Sequence, residues 1–159
     1  MIKIMFVCHG NICRSPMAEF VFRHIAKEKG VSRLFSVASS ASSREEIWDG
    51  IGSPIYPPVK RLLSQHGVVY NSEKRATLLT PDDLSSYDLI VAMDERNLRE
   101  INGISHVGRE KVHKLLDFTN NPRDVLDPWY TGDFDSTYRD VCEGCYAIID
   151  FYLNKEKRL

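Results

Sequence analysis

Near the start of the chain, Cys8-His9-Gly10-Asn11-Ile12-Cys13-Arg14-Ser15 sets a thiol and a guanidinium six positions apart. A thiol attacks as its thiolate, and at an ordinary pKa of about 8.5 only a few per cent is ionised at neutral pH. Helix N-termini and nearby cations lower that pKa to roughly 3.5–7.5. Gly10 and Asn11 are residue types that tolerate φ > 0, so the segment can wrap into a cradle whose N–H groups point inward. The amides of His9, Gly10, Asn11, Ile12, Cys13 and Arg14 would then surround one anion, reinforced by a helix start. Arg14 adds a planar fork that matches two oxygens of a phosphate. Cys8 would sit at the centre of that field as a nucleophile, with Ser15 able to donate a hydrogen bond to the sulfur and help it leave. The competing reading is a structural cysteine beside an incidental arginine.

The flanking elements favour the cradle. Residues 2–7 (IKIMFV) are apolar and predict a buried strand. Ser15 as N-cap and Pro16 as first helical residue predict a helix over about 16–29. Met17, Val21 and Ile25 share its inner face with Ala18 and Phe22, and Gly30 ends it. Further strands are predicted near 34–38, 89–93 and 112–116, with helices over about 57–66, from Thr80-Pro81, after Asp94 and over about 134–154. Tyr138, Val141, Cys145, Ile149 and Tyr152 line one face of the last helix. Residues 40–55 and 117–133 read as loops. This alternation predicts a single α/β domain over 1–159, a three-layer sandwich with a four-stranded parallel sheet and helices on both faces. Ligands of such sheets bind at the carboxyl ends of the strands, where the first loop lies.

A cysteine-based phosphoryl transfer also needs a proton donor for the leaving group. Asp127, in Val-Leu-Asp-Pro-Trp-Tyr, is the best candidate, because the following proline restrains its backbone. Asp117, Asp124, Asp133 and Asp135 better suit solvated turns. Trp48, Trp129 and Tyr130 all fall in predicted loops, where they either wall a slot for a flat aryl phosphate or pack beneath the loop.

The 159 residues are 43% hydrophobic and 27% charged, with a formal net charge of −1. Such a composition excludes wholesale disorder, collagen and coiled coil, and lacks the basic footprint of a nucleic-acid binder. No apolar stretch approaches a membrane span and the first residues do not form a signal segment, so a cytoplasmic protein without nucleic-acid or membrane partners is expected. Four cysteines then read as thiols. Cys142 and Cys145 lie mid-helix and read as core rather than as a redox couple or half of a zinc site.

The segment CHGNICRSPMAE resembles the N-terminal signature of the low-molecular-weight protein tyrosine phosphatases. QHGV at 65–68, MDERNL at 93–98, DPWY at 127–130 and the last helix fall in family order across essentially the whole chain. The resemblance implies hydrolysis of phosphotyrosine proteins or small aryl phosphates through a phosphocysteine, releasing inorganic phosphate with no metal or cofactor. Cys8 would be the nucleophile, Arg14 the phosphate clamp, Ser15 the partner of the sulfur and Asp127 the acid. Asn11, braced by Ser39 and His66, would hold the loop's shape, and Ile12 would floor a slot walled by Trp48, Trp129 and Tyr130. Cys13 would form a reversible disulfide with Cys8. Related protein-arginine phosphatases carry threonine at the position of Ile12, so isoleucine favours phosphotyrosine.

Several positions depart from the family pattern. The loop from Ser39 to Trp48 is longer than usual, and Ser40 replaces a common glycine. Tyr56-Pro57-Pro58 stands where many members have Asp-Pro-Arg. His9 occupies a site that is apolar in some relatives and is expected as an exposed rim side chain. Two alternatives share the nucleophile. Arsenate reduction on this scaffold uses extra cysteines that residues 67–112 lack, and a phosphocysteine carrier of a sugar-transport relay needs neither Arg14 nor Asp127.

Overall fold

A computed structural model describes residues 1–157, leaving the last two positions of the expected domain outside the described residues. Strand β1 (Ile2–Cys8) occupies the interior of a four-stranded sheet, flanked by β2 (Phe35–Ala41) and β5 (Leu89–Ala92), with β6 (Val112–Lys114) beyond β5. Every pairing is parallel. Side chains on β1 alternate, as the pleat requires. Ile4, Phe6 and Cys8 join the core beneath helices α1 (Arg14–Glu28), α2 (Pro57–Gln65) and α6 (Phe134–Lys157). Met5 and Val7 join the core beneath α3 (Pro81–Ser86) and α4 (Glu95–Ile104). Both faces of the sheet are therefore covered, as the sandwich expectation requires. Cys8 is the last residue of the strand, on the α1 face.

Local chemistry explains most boundaries and several departures. α3 and α4 open with reciprocal capping boxes, Thr80 with Asp83 and Asp94 with Asn97. α1 begins two residues earlier than predicted, at Arg14, and its N-cap is Cys13 with no side-chain cap bond. Ser15 is therefore inside the helix, where its hydroxyl is free for another partner. β2 continues to Ala41, so the expected loop from residue 40 starts as strand. That loop also contains a two-stranded ribbon, β3 (Ile47–Trp48) against β4 (Ile51–Gly52). Its turn residues, Asp49 and Gly50, have φ of 51° and 78°, the pair of left-handed conformations that tight hairpins demand. The 117–133 loop carries a one-turn helix, α5 (Pro128–Thr131), capped by the Asp127 side chain. No helix among the described residues is long and apolar enough to cross a membrane.

α6 crosses the sheet edge closely enough that a side chain matters at Gly144. A Cβ there would lie 2.3 Å from Leu115 Cγ and 2.5 Å from Cδ1. At an exposed helical site, glycine to alanine stabilises by up to about 1 kcal/mol. Here the sign should reverse: Gly144→Ala is expected to destabilise by about 1–3 kcal/mol through overpacking, read by urea unfolding. A gain in stability would mean that Leu115 moves aside freely.

Candidate active site

The site begins where β1 ends. Between Cys8 and Arg14 the backbone wraps through a left-handed Asn11, with φ of 58°. This conformation is uncommon outside glycine, and asparagine is among the types that accept it. The wrap delivers Arg14 to the first position of α1, whose N-cap, Cys13, makes no side-chain cap bond, and the Ser15 N–H of that first turn is directed at the Cys8 sulfur. Cys8 is almost fully buried. Its sulfur lies 3.4 Å from the Ser15 N–H and 3.0 Å from Ser15 Oγ, so the serine misassigned as a cap meets the sulfur instead.

Asn11 uses its whole amide to hold the loop. Nδ2 donates to Ser15 Oγ at 2.8 Å and Ser39 Oγ at 3.0 Å. Oδ1 accepts from Lys74 Nζ at 2.9 Å and from the Thr77 N–H at 3.1 Å. Ser39 is thus a brace, as expected, and passes its own proton to Glu19 at 2.6 Å. His66 is not a brace: it is exposed and stacks on Tyr138, ring centroids 4.0 Å apart. α2 ends at Gln65, which leaves the histidine on the α6 side while the following segment returns to the loop with Lys74 and Thr77.

Arg14 is 2% exposed, and a buried guanidinium must be paired to stay there. One terminal nitrogen donates to Asp94 Oδ2 at 2.7 Å and to the Val125 carbonyl at 2.8 Å. The other reaches Asp127 Oδ2 at 3.4 Å. Burial opposes its charge, but Cys8, Asp94 and Asp127 outweigh that and hold its pKa above the usual arginine range. Asp127 accepts the Trp129 N–H with its other oxygen at 3.0 Å, capping α5. Asp94 likewise caps α4 with one oxygen and holds Arg14 with the other.

These groups open onto one cleft. Its floor carries Cys8, His9, Gly10, Ile12, Cys13 and Arg14, and its walls carry Glu45, Glu46, Tyr56, Asp127, Trp129 and Tyr130. Trp48 does not line it. That side chain is 71% exposed on the β3–β4 ribbon, which turns it away and leaves Glu45 and Glu46 at the rim. Tyr56 occupies the place expected for the tryptophan, 5.1 Å from the Trp129 ring, while its N–H binds the Ile12 carbonyl at 2.9 Å. The departure at Tyr56-Pro57-Pro58 therefore supplies a wall. The aspartate-glycine turn at 49–50 was the available signal that the ribbon would divert Trp48.

His9 is also placed differently from expectation. It is half-buried, with Nδ1 on Glu100 at 2.7 Å and Nε2 on Glu45. α4 and the 43–45 segment converge on it, so it ties the phosphate loop to both. Cys13 lies half-buried in the loop; burial, then Cys8 and Asp127, push its thiol well above the usual range against the opposing pull of Arg14. Cys145 is fully buried against α1, its sulfur 3.7 Å from the Ala18 carbonyl, and Cys142 packs beside that core. All four cysteines are free thiols. The site thus brings a buried sulfur, one arginine and the Asp127 carboxyl that contacts it to a single aromatic-walled cleft with two further carboxylates, Glu45 and Glu46, in its walls.

Known proteins are similar to this chain along nearly all of its length. Low molecular weight protein-tyrosine-phosphatase PtpA of Staphylococcus epidermidis is 36% identical over 160 residues, covering 100% of this chain and 98% of that protein. YfkJ of Bacillus subtilis, of the same description, is 35% identical over 164 residues, with 100% of each chain covered. The crystal structure of YfkJ superimposes with a TM-score of 0.87 at 32% identity, covering 99% of this chain and 97% of that one. Residues 3–158 match the profile of the low molecular weight phosphotyrosine protein phosphatases, and the chain belongs to that family.

Proposed function

We propose that the chain hydrolyses phosphotyrosine in proteins, and small aryl phosphates, through a phosphocysteine on Cys8. The observation that carries this reading is the convergence of the Cys8 sulfur, Arg14 and Asp127 on one cleft. The phosphate sits in the loop with its equatorial oxygens on the inward N–H groups and the guanidinium. Those donors are in place before reaction, which is what stabilises charge developing on phosphorus. The sulfur attacks phosphorus opposite the phenolate oxygen. As the S–P bond forms and the P–O bond breaks, protonated Asp127 gives its proton to the departing phenolate. Water then enters on the vacated side, Asp127 takes its proton, and the S–P bond breaks to leave inorganic phosphate and the thiolate. Ser15, 3.0 Å from the sulfur, donates to it as it departs.

Tyr56 and Trp129, with Tyr130 beyond, suit a flat phenyl ring, and Ile12 gives that ring an apolar floor. We assign the reaction to the cytoplasm, a reducing compartment that suits four free thiols.

Two substitutions test the assignment. Cys8→Ser should lower aryl phosphate hydrolysis by more than about a thousandfold, since a hydroxyl is a far weaker nucleophile in this site. A variant that keeps its activity would remove the phosphocysteine. Asp127→Ala should slow phenyl phosphate by about 10²–10⁴-fold and p-nitrophenyl phosphate much less, because only the poorer leaving group depends on the proton. Equal losses on both would assign protonation to another group.

A further inference from the structure

The reaction as written makes no use of a lysine beneath the loop. Lys74, in the connection between α2 and α3, reaches under the phosphate loop and is half-buried. Its ammonium donates to Asn11 Oδ1 at 2.9 Å, to the Ser39 carbonyl at 3.3 Å and to the Arg75 carbonyl at 3.1 Å. Three acceptors match its three protons.

The directions of the bonds above Lys74 follow from donor counting. Because Asn11 Oδ1 accepts from Lys74 and Thr77, its Nδ2 donates to Ser15 Oγ and Ser39 Oγ. Ser39 passes its proton to Glu19. Ser15, having accepted from Asn11, has one proton left and two possible acceptors, the Cys8 sulfur at 3.0 Å and the Ser40 carbonyl at 3.4 Å. An anionic sulfur at the shorter distance takes it. An unbroken relay therefore runs from the ammonium through Asn11 and Ser15 to the nucleophile. We propose that Lys74 is a positioning residue whose positive charge, passed through Asn11 and Ser15, holds Cys8 as the thiolate. The proposal rests on Cys8 being the nucleophile of the reaction above.

The charge matters beyond the hydrogen bond. The ionisable groups acting on Lys74 are Glu19 and Arg23 of α1 and Cys8 of β1. Glu19 is already matched by Arg23 at 2.7 Å and by Ser39. The Cys8 sulfur, which also faces Arg14, is the other anionic position acting on Lys74. Burial pulls the lysine below its ordinary pKa while Glu19 and Cys8 draw it back up, and attraction that favours the ammonium favours the thiolate equally. Cooperative chains of this kind strengthen the terminal bond when a charge polarises the first.

The test is alkylation of Cys8 by iodoacetamide from pH 4.5 to 9, followed by mass mapping of the Cys8 peptide, in the full chain and in Lys74→Arg, Lys74→Gln and Lys74→Met. Glutamine retains a donor for Asn11 while removing the charge, so it serves where methionine impairs folding. The wild type and Lys74→Arg should share one midpoint. Lys74→Gln and Lys74→Met should move it up by about one pH unit, slowing alkylation about tenfold below the midpoint. The acid limb of kcat/KM for an aryl phosphate should move with it. An unshifted Lys74→Gln in an active enzyme would overturn the relay, as would an arginine variant shifted as far as the glutamine one. Because alkylation needs no substrate, a wild type inert on aryl phosphates with a shifted Lys74→Gln would overturn the hydrolase and leave the relay standing.

Discussion

The buried guanidinium of Arg14 is the constraint around which the site is arranged. A charge 2% exposed cannot stand alone, because an unpaired buried charge costs several kcal/mol. Its partners come from two parts of the chain: Asp94, the N-cap of α4, and the 125–127 segment, through the Val125 carbonyl and the Asp127 carboxylate. Pairing Arg14 therefore docks the 125–127 segment over the phosphate loop and brings the candidate acid to the cleft. The same contacts restrain the guanidinium against rotation. Stability and chemistry here share one set of bonds. Removing either carboxylate would disturb the clamp as well as its own role.

Asn11 plays the corresponding part for the backbone. A left-handed residue is strained unless its surroundings determine it, and the asparagine amide is satisfied at all four of its bonding positions. Those bonds tie the loop to β2 through Ser39, to α1 through Ser15 and to the 67–80 connection through Lys74 and Thr77. The loop keeps its inward N–H groups because three elements hold one side chain.

Local features were readable from the chain, and tertiary ones were readable only in part. Cys8, Asn11, Arg14 and Ser15 are close in sequence, and a strand, a glycine-containing loop and a proline-started helix suffice to bring them together. Asp127 carried its own signal in the following proline. The errors lie where the answer depends on a distant segment. Lys74 is 63 residues from Asn11, and nothing near it marks it as a brace, whereas the family resemblance points to His66. Trp48 is expected at the cleft as a loop aromatic and by the family resemblance, and a short antiparallel two-stranded ribbon carries it to the surface. The length of α1 was misjudged for another reason. Ser15 has the chemistry of a cap, but a sulfur competes for its hydroxyl and Cys13 takes the cap position without capping.

The near-neutral composition fits this architecture once the range of each interaction is considered. The cleft is lined by one cation, Arg14, and by three carboxylates, Glu45, Glu46 and Asp127. Long-range attraction is therefore a poor account of how a phosphate dianion is held, since fields from exposed charges are screened within about 10 Å. Oriented N–H groups act only within hydrogen-bond reach, and they act strongly because water is excluded from a narrow floor. A site built this way depends on shape more than on net charge. The relay beneath it then matters for the same reason: Lys74 lies out of contact with substrate, and its charge reaches the sulfur only through bonds whose geometry the loop maintains.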